Sequence, residues 1–285
     1  MPDASTLAVL QDVVSVSLLA AVVGACLYAM LRRMVPMAAW DHGGHVNAAF
    51  YGWRDAVVAG LLVLLLCGGL FGPEAVAAGA KAKAVESASA TEQLTSVASS
   101  VLMDFTVVAL IIGFLRVLRD QDPAELFGLR KMAVGRAFVR AAVWLVPAMV
   151  AVLMVSAAGA WLLRDVWPDA GPQSAVQMLE KSQSVVVRVA LTIMAVIVAP
   201  LSEEILFRGF LFGVLKRYTD TYFAALVSSL LFASVHMHVG FFLPLFALGI
   251  IFSAAYEATG CLLVSIFMHA MFNGAQEIMM LFGAK

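Results

Sequence analysis

Charge is what this chain has least of. Only 13% of its 285 residues are Asp, Glu, Lys or Arg, while 62% are hydrophobic. Soluble domains carry about 25% charged and about 45–50% apolar residues. A soluble fold of this length has no interior large enough for so much apolar surface, so lipid is the solvent for much of it. Cysteine is scarce as well. Cys26, Cys67 and Cys261 are far apart and odd in number, which excludes a disulfide framework and zinc-finger spacing. The formal net charge of −1 leaves no basic footprint for nucleic acid. There is no Gly-x-Ser of a nucleophile loop, no Gly-x-Gly-Asp, no pair of aspartates inside an apolar run and no His-Glu-x-x-His. These absences set aside the serine and paired-aspartate chemistries and the commonest zinc-peptidase motif.

What is present is a series of long apolar runs. A spanning helix needs about 20 mostly apolar residues. The runs predict eight such helices, at 10–31, 55–72, 99–118, 138–163, 183–200 running on to 217, 221–238, 241–256 and 261–282. The expected fold class is therefore an all-α, polytopic transmembrane bundle. Pro200 lies inside the fifth run and should kink it. The Ala-, Ser- and Gly-rich stretch 71–100 reads as a loop, and 119–137, with Pro123, as a polar, basic one. Arg32 and Arg33 follow the first apolar run instead of preceding it, which marks a spanning helix and not a cleavable leader. Lys and Arg concentrate in alternate loops, at Arg32, Arg33, Arg54, Arg116, Arg119, Arg130, Lys131, Arg136, Arg140, Lys216 and Arg217. That bias places those loops in the cytoplasm and both termini outside.

A charged side chain at a bilayer's centre costs about 2.5–3.5 kcal/mol or more and is a functional hypothesis by default. In the last third of the chain such groups cluster. Glu203, Glu204 and Arg208 follow Pro200, His236 follows Phe232, and His269 precedes Asn273. Residues four apart share a helix face. Glu204 and Arg208 can therefore pair, which leaves Glu203 free to act as a base. His269 and Asn273 can point at one spot, and Phe232 can pack on the His236 ring. His238 faces nearly opposite His236 and is expected to be structural or interfacial. Glu257 reads as a helix-end residue. Asp104 suits a helix N-terminus near the outer end of the third span. His42 and His45 should be solvated. A lone Glu–Arg pair or a lone histidine is commonly structural, but three clusters with helical spacing on three of the last four helices point to one shared site.

The ordered set Glu-Glu-x-x-x-Arg at 203–208, Phe-x-x-x-His at 232–236 and His-x-x-x-Asn at 269–273 resembles the CAAX-protease and bacteriocin-processing family of intramembrane proteases, which includes the Ras-converting CAAX endopeptidase. Phe127-Gly128-Leu129-Arg130 and Tyr256-Glu257-x-Thr259-Gly260 are smaller echoes of it. The resemblance covers a core at 183–283 within a catalytic domain at 138–285; residues 1–137 carry no family signal. It implies an endopeptidase acting on membrane-tethered or lipidated substrates; the expected location is a bacterial inner membrane. Glu203 and His236 would activate water, His269 and Asn273 would hold the oxyanion, and Glu204, Arg208 and Phe232 would support them. Glu203, His236 and His269 would be the ligands if zinc took part; the absence of a paired-histidine motif favours a metal-free, glutamate-type reaction. Two other readings stay open. A catalytically silent scaffold or immunity protein of the same fold would have no reason to keep costly buried charges. A transporter would show broken helices in matching halves of the chain.

Overall fold

The structure is a computed structural model that describes residues 44–71, 89–163, 178–179, 182–236 and 239–283. The first expected span, 10–31, the aromatic-poor stretch 72–88, and His42 and His238 lie outside the described residues. Eight helices are described: α1 (Trp53–Phe71), α2 (Ala90–Gly113), α3 (Pro123–Leu126), α4 (Val134–Leu163), α5 (Val185–Tyr218), α6 (Thr221–Val235), α7 (Val239–Thr259) and α8 (Leu262–Gly283). There is no strand among the described residues. Four stretches are long and apolar enough to cross a membrane: Ala90–Leu118, Val134–Gly159, Val185–Tyr218 and Gly240–Thr259. The protein is an all-helical, multi-spanning membrane protein. Its outward faces are correspondingly apolar. Leu61, Leu64 and Leu65 on α1 and Val143, Val146, Val150 and Leu153 on α4 are all exposed, as a helix bathed in lipid requires.

Local sequence sets the helix starts. Ser89 and Glu92 form a reciprocal capping box at the start of α2, which satisfies donors that would otherwise be orphaned. Asp122 caps α3 with Pro123 in its first turn. Ser184 caps α5, and Asp220 caps α6 through Phe223 N at 2.8 Å. The capping box corrects two expectations. The helix begins at Ala90, nine residues before the apolar run does, because polar residues join it once its first turn is capped. Asp104 is therefore in the middle of α2 and not at a helix N-terminus. α6 is shorter than the run 221–238 suggests, since it ends at Val235 with His236 as its cap.

The loops that an eight-span alternation puts on one side do meet at one end. His45 N–H donates to Glu257 O at 3.1 Å, and Leu262 N–H donates to Phe127 O at 3.0 Å. Lys131 Nζ reaches His45 O at 2.7 Å. Lys216 is buried, bonded to Val46 O at 2.8 Å and paired with Glu257 Oε1 at 2.7 Å. Glu257 is thus more than a solvated helix end: it clamps α7 to α5 and to the segment before α1. His45 itself is exposed. The two short sequence echoes touch here. Gly128 (φ 66°) and Gly260 (φ 61°) both adopt the left-handed conformation, and a Cβ on Gly128 would run into Gly260 O.

Gly128→Ala should therefore destabilise the protein by more than the about 1–2 kcal/mol that the left-handed backbone alone costs. Thermal unfolding in detergent should fall by ~2–4 °C or more. Gly135→Ala on α4, where an added Cβ meets nothing within 4 Å, should unfold at or slightly above the wild-type temperature. A Gly128→Ala protein that melts like wild type would show that this junction does not hold the bundle end together.

Candidate active site

α5 carries three of the polar groups and is not a regular helix. Its hydrogen-bonding widens to the π pattern at Met194–Val198 and again at Ile205–Phe212, on either side of Ala199–Glu204. π turns insert an extra residue and re-aim the side chains beyond it. The first lies immediately before Pro200, whose missing N–H would interrupt a regular α-ladder. The helix runs on through Pro200 to Tyr218.

Arg208 and Glu204 are both fully buried and paired, Nη1 to Oε1 at 2.8 Å. Arg208 also donates from Nη2 to Gly249 O on α7 at 3.1 Å. Its guanidinium lies 4.4 Å from the Phe232 ring centroid and 5.2 Å from that of Phe252. The cation is thus neutralised on one side and stacked on aromatic faces on the other. Gly249 has no room for a side chain: a Cβ there would stand 3.0 Å from Arg208 Nη2 and 2.9 Å from Ser229 Cβ.

The two histidines are oriented from behind. His236 Nδ1 is 2.7 Å from Phe232 O. A carbonyl only accepts, so Nδ1 carries the proton and Nε2 faces the site. His269 Nδ1 is 3.2 Å from Glu204 Oε1. That oxygen already accepts from Arg208, so His269 Nδ1 is the donor and its Nε2 also faces the site. Both Nε2 atoms approach the same oxygen, Glu203 Oε2, at 3.8 Å from His236 and 3.9 Å from His269. Phe232 is the wall behind them, 4.8 Å from the His236 ring and 5.8 Å from the His269 ring, centroid to centroid. Glu203 and His236 keep 24% and 20% of their side-chain surface exposed, against 4% for His269. Glu203 Oε2 itself is buried and has no hydrogen-bond partner.

Asn273, one turn beyond His269 on α8, donates from Nδ2 to Ala195 O at 2.8 Å. This amide is engaged with the π turn of α5. Asp104 is a residue that sequence reasoning put elsewhere. It falls on the packed stripe of α2 with Val97, Val101, Val108 and Ile111, and its carboxyl lies near the side chain of Ser202, beside Glu203. An acid in mid-span on the register of the packed positions was the available signal.

Zinc was the cofactor at issue for Glu203, His236 and His269. Imidazoles backed by a carbonyl and a carboxylate suit a metal. However, donors about 2.0–2.2 Å from a tetrahedral zinc lie roughly 3.3–3.6 Å from one another, and the separations here are 3.8 and 3.9 Å. Among the described residues no group of three His, Cys, Asp or Glu side chains stands close enough to hold a metal ion. As placed, the residues do not fit one.

The helices that carry these residues are similar to stretches of known proteins. Residues 185–275 match the family model described as type II CAAX prenyl endopeptidase Rce1-like. The match covers this stretch and not the rest of the chain. It contains Glu203, Glu204, Arg208, Phe232, His236, His269 and Asn273, all the residues singled out from their spacing. Similar proteins include the "Putative membrane peptidase YdiL" of Bacillus subtilis (strain 168), 40% identical over 31% of this chain and 36% of its own length. The "Membrane-embedded CAAX protease MroQ" of Staphylococcus aureus (strain USA300) is 40% identical over 27% of this chain and 34% of its own. An "Uncharacterized 24.3 kDa protein" of Escherichia coli is 37% identical over 44% of this chain and 58% of its own. The matched stretches thus span about a third to somewhat over half of these relatives. No solved structure matches the chain.

Removing one member of the Glu204–Arg208 pair leaves the other charge buried and uncompensated, at a cost of about 3–5 kcal/mol. Glu204→Leu and Arg208→Leu should each unfold at a much lower temperature in detergent, and the double variant should recover part of that loss. Strictly additive losses would show that the two side chains do not act as one unit.

Proposed function

We propose that this protein is an intramembrane endopeptidase that hydrolyses peptide bonds in membrane-associated, CAAX-type lipidated substrates. The observation that carries the proposal is the convergence of His236 Nε2 and His269 Nε2 on Glu203 Oε2 at 3.8 and 3.9 Å. These distances are too long for direct hydrogen bonds, and they turn both imidazoles and the carboxylate toward one spot. The Rce1-like match and the names of the two similar bacterial peptidases support the reaction class.

In the proposed reaction Glu203 Oε2 accepts a proton from the attacking water while the lone pair of His236 Nε2 accepts its second hydrogen bond. The water oxygen adds to the carbonyl carbon. The developing oxyanion is met by the N–H of His269 Nε2, with both ring nitrogens protonated, and by the second N–H of Asn273 Nδ2. Fixed donors of this kind contribute about 3–4 kcal/mol each to the transition state. Glu203 then passes its proton to the leaving nitrogen and the C–N bond breaks; the second water-derived proton leaves the new carboxyl group through His236 Nε2 to the amine, and a carboxylate and an ammonium are released. Every proton is carried by this chain's own groups, with no step routed through a metal. A carboxylate and two imidazoles that face one spot within a spanning bundle suit a peptide held at the membrane by a lipid tail. We assign the protein to a bacterial inner membrane on the same reading, with the loops at the Lys131–Lys216 end in the cytoplasm.

Glu203→Gln, His236→Ala and His269→Ala should each lower cleavage of a quenched-fluorescence, prenylated peptide by about 10²-fold or more, with membrane insertion retained. The unprenylated peptide should be the poorer substrate, and a chelator should leave the rate unchanged. Near wild-type turnover in any of the three variants would remove that residue from the mechanism. Loss of activity with chelator and its return with zinc would replace the metal-free reaction.

A further inference from the structure

Asn273 cannot serve as an oxyanion donor unless its amide is held, and what holds it is a backbone atom. Within the π turn Met194–Val198, Ala199 N–H donates to Met194 O, so Ala195 O loses its regular i+4 donor. In the same widened register the next donor to Ala195 O would come from residue 200. That residue is proline, which has no N–H. The carbonyl that Pro200 leaves unpaired is the one that accepts from Asn273 Nδ2, at 2.8 Å. An unpaired carbonyl in lipid costs several kcal/mol, so this hydrogen bond is strongly enforced. It uses one of the two Nδ2 hydrogens and fixes the plane and direction of the amide. α8 also comes close to α5 here, since a Cβ on Gly274 would stand 3.8 Å from Val196 Cγ1.

We infer that Pro200 is a positioning residue: by withholding an N–H from Ala195 O, it makes that carbonyl the anchor that orients Asn273. The inference rests on the proposed role of Asn273 in peptide hydrolysis. Replacing Pro200 by alanine supplies the missing donor in either register, from residue 200 in the π pattern or from Ala199 in a regular α pattern. Asn273 then loses its partner and its orientation, although nothing has been changed in the Asn273 side chain.

The test is a double-substitution cycle on the full-length protein in detergent, with Pro200→Ala, Asn273→Ala and both together. Turnover of the prenylated quenched peptide and thermal unfolding are measured for each. Pro200→Ala should lower kcat about tenfold or more with KM within about twofold, and should unfold no lower than wild type. In the Asn273→Ala background the same change should have little further effect on kcat. It should also raise the melting temperature that Asn273→Ala lowers, because Ala195 O regains a donor. An equal fold-loss of kcat from Pro200→Ala in both backgrounds, or wild-type kcat in Pro200→Ala, would overturn the inference. So would a melting temperature that the second change fails to restore. A wild-type protein that cleaves no peptide would sink the proposed function alone, and the stability half of the cycle would still decide whether Pro200 sets the Asn273–Ala195 contact.

Discussion

The buried ion pair between Glu204 and Arg208 is the constraint on which the site depends. Two charges that are each fully enclosed persist in an apolar bundle only with partners beyond each other. Arg208 takes Gly249 O on α7 and the faces of Phe232 on α6 and Phe252 on α7. Glu204 takes His269 on α8. One side-chain pair on α5 therefore sets the approach of the three helices that come after it. Glu203, the neighbouring residue, faces His236 and His269. Separating adjacent carboxylates into one that is neutralised and one that is not assigns structure and chemistry to neighbouring positions.

The second feature is the irregularity of α5. In a regular α-helix each interior carbonyl already accepts from its own ladder. The two π turns change this. Ala195 O is released to Asn273. In the second turn Gly213 N–H turns to Phe210 O, and Gly209 O accepts from Tyr51 Oη at 2.6 Å. Tyr51 in turn lies so close to Gly213 that no side chain fits there. The polar contacts that dock the first described helix and the last one onto α5 thus use backbone atoms that the irregular turns expose.

The sequence made the bundle legible because lipid leaves so few alternatives: long apolar runs must be helices. Spacing of four made the Glu204–Arg208 contact and the Phe232–His236 stacking legible too, since both are local to one helix. What lay outside its reach was what depends on neighbours or caps. Ser89 and Glu92 extended α2 backward through residues that read as a loop, and so carried Asp104 from a helix end to the middle of a span beside Ser202. Lys216 and Glu257 looked like a loop cation and a helix end, and their pairing needs α5 and α7 to be packed side by side. Asn273 was legible as a partner of His269 by register, but not as a partner of Ala195 O, because no pattern of residues announces a π turn.

The central claim is that Glu203 acts on water and does not itself attack the peptide. The direct measurement is a single turnover with enzyme in excess over a prenylated peptide in water labelled with oxygen-18, then mass spectrometry of the product and of the enzyme fragment containing Glu203. The account predicts one labelled oxygen in the new product carboxylate and none in Glu203. Label in the Glu203 carboxyl, which hydrolysis of an anhydride between Glu203 and the peptide would leave, would contradict it.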